Sequence, residues 1–338
     1  MMDLQKIGED AAKSESIERP VDPNLVLQLD ADFACYECAH TDESVNQNLK
    51  NLKKRIEMLG KQAGAGHVNV HVTLGLKGGR TEMATEKPYQ ENRAGANMER
   101  KARVHELRVA LVNWEDPYIT TVASTLQEAD DALAQYQCLR MIEHGPESSA
   151  IMSGDKDLWM VPGRHCDPKS GRFWTVSGFG KTEYRDVGNV ELKLVGEGTS
   201  WFWHQMLMGD TADNIAGLPQ LTGRLMDVYA PLKSKSKTPR KAAQCGEKKA
   251  VVVLKGLNND SLCARAVLAC YQDHYGKSKG LEMMVESSFL LWMRKTSSLY
   301  GCVQFLNACG VKCDFTERQK MRLREYVHKA KIMQEQGQ

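Results

Sequence analysis

The chain has 338 residues, 45 Lys and Arg against 43 Asp and Glu, a net charge of +2, and 42% apolar residues, the composition of an ordinary soluble protein with one main domain and a smaller one. No apolar run approaches the roughly 18–20 residues of a membrane helix, and the polar start MMDLQKIGEDAAKSESIERP lacks the apolar core of a signal peptide. The ten cysteines are therefore expected as reduced thiols in a cytoplasmic protein.

Residues 1–22 read as a loose arm. NLVLQLDADF then reads as a buried strand whose C-terminal end carries Asp30 and Asp32. Cys35 and Cys38 form a lone CxxC near His40, and without a second ligand pair they are expected to pack a helix. ESVNQNLKNLKKRIEMLGKQAG has helical spacing at Val45, Leu49, Leu52, Ile56 and Leu59 and stops on glycine. HVNVHVTLGL alternates like a second strand. Lys77 to Arg103 is Gly-rich, charged and weakly apolar, the character of a functional loop or a mobile helix pair.

TLQEADDALAQYQCLRMIEHG reads as a helix with Thr125 as N-cap and Glu128 at the capping-box position. SSAIMSGDKDLWMV reads as a strand with acids just past its end, and TSWFWHQMLMGDTADN as a helix with Trp201, Trp203 and Met206 inward. Strands alternating with helices predict an α/β domain with a mainly parallel sheet, in which ligands gather at the C-terminal strand ends. Beyond residue 214 the strands stop. A solvated Lys/Ser/Pro/Arg segment, then CGEKKAVVVLKGL, then helices to the end are expected.

Four acid groups recur at similar places: Asp30 with Asp32, Glu128 with Asp130 and Asp131, Asp155 with Asp157, and Asp210 with Asp213. Taken singly, an acid in a first helical turn suits the helix dipole, and paired aspartates suit a turn. Taken together, converging carboxylates repel and need cations, and an all-oxygen set without a His or Cys cluster suits magnesium or manganese, not zinc. Between Arg224 and Lys255 stand nine Lys or Arg against Asp227 and Glu247, and between Lys77 and Arg108 eight against five Glu. Basic segments set apart from acid clusters suit a polyanion held beside metal ions.

EADD (128–131), SGDKDL (153–158) and MGDTADNIAGLP (208–219), following LQLDADF, resemble the structure-specific 5′ nucleases, the flap endonucleases and 5′-3′ exonucleases of bacterial polymerases and bacteriophages. The likeness runs from about residue 24 to 255. It implies a PIN-like α/β fold: a mainly parallel twisted sheet flanked by helices, a helical arch, and a helix-hairpin-helix region followed by C-terminal helices. On this reading the nuclease domain is 23–213 with an arch-like insertion at 77–120. The split hairpin region is 214–275 with a basic loop at 221–244, and a helical extension fills 276–338.

The resemblance implies two or more Mg2+ or Mn2+ ions on Asp30, Glu128, Asp130, Asp131, Asp155, Asp157, Asp210 and Asp213, with K+ a candidate at the hairpin. Arg93 and Lys101 are expected to be catalytic, and Tyr89, Arg100, Arg103, Gly217, Gly246, Lys248 and Lys249 to meet DNA. The implied partner of this expected monomer is duplex DNA with a free 5′ end or 5′ flap, with an RNA–DNA hybrid as a further candidate. Its expected role is phage replication, recombination or host DNA degradation, as in the standalone bacteriophage type.

Three departures stand out: Leu76 where the family often has Asp, Gln90 at the arch lysine of YQENR, and a hairpin motif interrupted between IAGLPQL and CGEKKA. Asp32 is a candidate for the missing charge, and Lys87 or Arg100, Lys101 and Arg103 for the missing lysine. Three alternatives compete. A haloacid-dehalogenase-like phosphatase would use Asp30 as nucleophile and Asp32 as general acid; a non-catalytic DNA-binding module would share the fold; a PIN-type ribonuclease would need fewer acids and no hairpin.

Overall fold

A computed structural model of the chain describes residues 19–93, 95, 97–186, 192–218 and 245–336. Most of the expected arm and the basic loop 221–244, with Lys233, Lys235 and Lys237, lie outside the described residues.

Strand β1 (Asp22–Asp30) is central. Leu25, Leu27 and Leu29 are buried along it, and so is Gln28 between them, the mark of a strand covered on both faces. Gln28 ties three strands together. Its Nε2 donates to Ser149 Oγ at 3.2 Å, and its Oε1 accepts from Asn69 at 3.1 Å and pairs with His71 Nε2 at 2.9 Å. Burial lowers the His71 pKa to about 3, so the ring is neutral. Helix α1 (Ala31–Cys38) follows directly, capped by Asp30; Asp32 therefore lies in its first turn and does not continue the strand. Cys35 and Cys38 pack this helix as expected, and all ten cysteines are free thiols.

Helix α2 (Val45–Ala63) buries Leu52, Ile56 and Leu59, starts on the Ser44 side chain and ends on left-handed Gly64. Then come β2 (Ala65–Thr73), the single turn α3 (Arg80–Met83), a 3-10 turn (Glu91–Arg93) and helix α4 (Met98–Val112). The segment ITTVAS, which no sequence pattern singled out, is strand β3 (Ile119–Ser124). Helix α5 (Ala129–His144) starts after Glu128, whose side chain makes no capping bond, and its first amide donates to the Thr73 hydroxyl at 2.8 Å; Thr125 instead uses its carbonyl to accept the Leu76 amide at 2.7 Å.

Strand β4 (Ser149–Met152) stops before the acids, which sit on a 3-10 turn (Lys156–Met160) that Asp155 caps. Two hairpins follow: β5 (Gly163–Cys166) with β6 (Phe173–Val176), and β7 (Thr182–Asp186) with β8 (Leu192–Gly196). The main sheet has the order β3-β2-β1-β4-β5-β6, parallel except for the antiparallel pair β5–β6. Its order reverses between β1 and β4. The crevice beyond the C-terminal ends of these strands is where such sheets hold ligands.

Helix α6 (Gly198–Met208) is buried on all sides, with Trp201, Phe202, Trp203, Met206 and Leu207 at 0–1% exposure. It ends in a tight pair of two-residue strands, β9 (Gly209–Asp210) and β10 (Ile215–Ala216), so Asp210 and Asp213 are joined by a hairpin and not by a helical turn. Helices α7 (Glu247–Leu254), α8 (Asp260–Tyr275), α9 (Lys277–Leu291), α10 (Gly301–Ala308) and α11 (Glu317–Glu335) complete the chain. They form a second core against α6, where Phe305 stacks on both Trp203 and Trp292. Among the described residues no helix is long and apolar enough to cross a membrane.

Candidate active site

The acids converge at the crevice. Asp30 is 4% exposed; its Oδ1 accepts the Asp32 amide at 3.0 Å and its Oδ2 the Ser153 hydroxyl at 2.7 Å. Burial, and then the nearby charges of Asp32 and Asp155, raise its pKa to about 7. Desolvation, then Asp30, Asp155, Glu128 and Asp32, push half-buried Asp130 well above the carboxylate range. Asp155 is raised by desolvation and by Asp213 and Asp210. Asp157 Oδ1 accepts from Gln205 Nε2 at 2.7 Å and Trp201 Nε1 at 3.3 Å. Desolvation, and then the neighbouring charges of Asp155 and Asp210, raise Asp157. Carboxyls that raise one another in this way mark a part of the cluster that is short of positive charge.

The outer acids are neutralised from within. Buried Arg80 donates through Nη1 to Glu128 at 2.9 Å, through both Nη atoms to Asp131 at 2.7 and 2.9 Å, and to the Leu290 and Trp292 carbonyls. Arg294 adds its backbone amide at 3.1 Å, Nε at 3.0 Å and Nη2 at 2.6 Å to Asp131. Asp131 is therefore corrected from the expected metal-facing set. It is wholly buried, both oxygens are committed to arginine, and the Arg294 and Arg80 charges hold its pKa below the usual range against its desolvation. Left-handed Gly78 makes this possible, since a Cβ there would collide with the Arg294 guanidinium.

The YQENR segment folds over the cluster. Tyr89 is corrected from a DNA contact: it is 9% exposed, and its hydroxyl lies 2.8 Å from Glu128 Oε2 and 2.9 Å from Asp213 Oδ2. Gln90, at a left-handed φ of 57°, donates its side-chain amide to Glu128 at 3.0 Å and Asp213 at 3.1 Å. Arg93, exposed at the rim, pairs with Asp213, and Lys101 Nζ reaches the Arg93 carbonyl. Arg103, half-buried, donates to the Glu43 carbonyl at 2.7 Å and braces the α1–α2 connection. Arg100 lies over exposed Tyr36 at 4.1 Å and donates to its carbonyl. Asp32 pairs with Arg108 at 2.8 Å and accepts the Thr73 amide at 3.1 Å, while its charge is still felt at Asp30 and Asp130.

Gly217 is buried against Met208 and Gly209, where a Cβ would overlap the Met208 carbonyl, which corrects its placement at a DNA surface. The chain leaves at Leu218 and returns at Cys245, whose amide donates to the Leu218 carbonyl at 2.9 Å. The split in the hairpin motif is thus an insertion whose two ends meet. Gly246 is exposed at the start of α7 with open space around its Cα, beside exposed Lys248 and half-buried Lys249.

Arg80, Arg294 and Lys77 (3.3 Å from Glu128) escaped the sequence reading because single basic residues without periodicity carry no signal. Among the described residues no three His, Cys, Asp or Glu side chains are arranged closely enough around one point to hold an ion. The donor chemistry nonetheless fits magnesium or manganese: Asp30, Asp130, Asp155, Asp157 and Asp210 offer oxygen only, and their mutual repulsion is what a divalent ion relieves.

A pH prediction follows from Asp30. With its pKa raised from 3.8 to about 7, the folded protein keeps a proton that the unfolded chain releases across that window, so this group costs stability as pH rises and no more above it. In metal-free buffer, the melting temperature of Asp30→Asn minus that of wild type should grow from pH 4 to 7 and then level. A difference independent of pH would refute the buried, acid-crowded placement of Asp30.

No protein-family model matches the chain, and no curated protein matches it by sequence. Solved structures similar in shape include a bacteriophage T5 flap endonuclease pseudo-enzyme–product complex with DNA and metal ions, at 16% identity and TM-score 0.43, covering 84% of this chain and 97% of that one. Another is the T5 5′-exonuclease with bound zinc ions, at 17% identity and TM-score 0.44, covering 84% and 98%. Neither likeness is close enough to place this chain in a family.

Proposed function

We propose that this protein is a divalent-metal-dependent 5′-3′ exonuclease and flap endonuclease that hydrolyses phosphodiester bonds near the 5′ ends of duplex DNA. The supporting observation is that Asp30, Asp130, Asp155, Asp157 and Asp210 lie within reach of one another's charge, with four of the five carboxyls raised by desolvation and by neighbouring acids. These residues would hold two Mg2+ or Mn2+ ions, which when bound activate a water and stabilise the leaving oxygen of a phosphodiester. Ser153 orients Asp30, and Trp201 and Gln205 orient Asp157, so the carboxylates are preset by neighbours on rigid elements. Arg93 and Lys101 stand at the mouth to answer charge developing on the scissile phosphate.

Away from the cut, the exposed amides at the start of α7 and the lysines beside them suit a phosphate backbone read without regard to sequence. Replacing Lys248 and Lys249 with alanine should flatten the slope of log affinity against log salt by about 1.8, about 0.9 per lost duplex contact, equally on two unrelated duplexes. A slope unchanged by the double substitution would remove α7 from the DNA path.

The decisive experiment is cleavage of a 5′-labelled duplex and of a 5′-flap substrate, with magnesium and with chelator. Magnesium-dependent release of short 5′ products is expected. No product on either substrate sinks the enzymatic reading and favours the non-catalytic module. The phosphatase alternative has less support, because Asp30 is buried with both oxygens hydrogen-bonded and Asp32 is paired to Arg108.

A further inference from the structure

A cavity of about 530 Å3 takes no part in the chemistry above. It is lined by Trp159, Trp174, Arg172, Lys181, Glu197 and Asp167, together with the small surface of Val195 and Gly196. Two of its walls belong to elements that also build the acid site. Trp159 rides on the 3-10 turn that carries Asp157, and Glu197 immediately precedes α6, whose Trp201 and Gln205 hold the Asp157 carboxyl.

The aromatic part is preset. Trp174 is stacked on His165 (centroids 5.3 Å, 25°) and met edge-on by Trp159 (5.5 Å, 80°). His165 is itself anchored, its Nε2 lying 2.8 Å from the Val161 carbonyl, and burial lowers its pKa to about 4, so it is a neutral platform behind the indole. A fixed indole loses little conformational entropy when a flat ring lands on it. Around the rings the charges are exposed: Arg172 is open to solvent, and Lys181 makes a 3.4 Å surface pair with Glu183, of the kind a stronger anion displaces at small cost.

We propose that this cavity seats one unpaired nucleotide of a single-stranded DNA segment adjoining the acid site. The base stacks on the Trp159–Trp174 wall, its phosphates meet Arg172 and Lys181, and Glu197 accepts from an exocyclic amino group where the base has one. The volume is within the roughly 300–1,000 Å3 of small-molecule pockets. Indole faces next to guanidinium and ammonium groups are the usual means of holding single strands without reading their sequence. The proposal rests on the nuclease reading for its choice of ligand, but its test does not require cleavage.

The full-length protein is titrated in chelator with a short labelled oligothymidylate, with the same oligomer made abasic, and with thymidine monophosphate. Anisotropy or indole quenching reports binding. The comparison is between wild type, Trp174→Leu and Arg172→Glu, the latter at an exposed position where folding is not at stake. Oligothymidylate should bind about tenfold more weakly to either variant and the abasic oligomer about tenfold more weakly to wild type, the order expected for loss of one stacked base. Magnesium-dependent cleavage of a blunt duplex should be unchanged in both variants. Affinity untouched by Arg172→Glu, or equal affinity for the abasic oligomer, overturns the proposal. Binding of the monophosphate as tight as that of the oligomer makes the site one for a free nucleotide and overturns the strand assignment. If wild type binds as expected but cleaves nothing, the pocket stands and the nuclease reading falls. If it cleaves and neither variant alters binding, the nuclease reading stands and the pocket falls.

Discussion

Asp130→Asn combined with Asp155→Asn should lower magnesium-dependent cleavage by about 10^3-fold or more and, in metal-free buffer, raise the melting temperature. The first effect follows from the several kcal/mol of transition-state charge stabilisation that metal ions supply, at about 1.4 kcal/mol per decade of rate. The second follows from the apo state. Both carboxyls are raised first by desolvation and then by other acids of the cluster, so ionising them is unfavourable in the folded protein and costs nothing comparable in the unfolded chain. Asparagine keeps the shape and removes the charge. Magnesium should raise the melting temperature of wild type and leave that of the double variant nearly unmoved, because binding to the folded state alone stabilises by mass action. Wild-type cleavage by the double variant would end the metal-site reading, and a lowered apo melting temperature would show that these acids are stabilised by partners and not crowded by one another.

The sequence disclosed most of the sheet's centre and misplaced its edges. β1 and β4 were legible because strands buried on both faces read as apolar runs that end abruptly in acids, and β2 because HVNVHVTLGL alternates. β3 was not, because ITTVAS shows only Ile119 and Ser124 fully buried and has no alternation strong enough to stand out. The short hairpins between Gly163 and Gly196 are held by cross-strand pairing, which leaves little local pattern. In the site, the acid types and their spacing were visible, while their division into two groups was not. That division depends on Arg80 and Arg294, which are 214 positions apart in sequence and brought to one carboxylate by the docking of α9 and the chain just after it. The same tertiary contact withdrew Asp131 from the metal-facing set, while Tyr89 is held separately by Glu128 and Asp213. Local motif reading assigns a residue type to a place; only the surrounding charges decide whether it faces a ligand or a neighbour.

That division gives the sharpest contrast, between adjacent residues. Asp131→Asn should destabilise the fold by about 3–5 kcal/mol, the cost of removing one partner from a buried ion pair and leaving the other charge uncompensated. Here two guanidiniums are left. Arg80 is 2% exposed and Arg294 6%, and each places two side-chain nitrogens on the Asp131 carboxylate. Asparagine retains one acceptor oxygen but no charge, so it cannot replace the arrangement. A loss of that size is a large share of the roughly 5–15 kcal/mol by which domains are stable. It also disconnects α9 from α3, since Arg80 joins the Asp131 carboxylate to the Leu290 and Trp292 carbonyls. The pH dependence has the opposite sign to that of Asp30. The Asp131 pKa is depressed in the folded state, so its contribution is fully present above the ordinary carboxylate range and is lost as pH falls below it. The stability difference between wild type and Asp131→Asn, measured by urea unfolding, should therefore be constant near neutrality and shrink in acid. Wild-type stability with abolished cleavage would return Asp131 to the metal-binding set; the expected outcome is a destabilised protein whose folded fraction still cleaves.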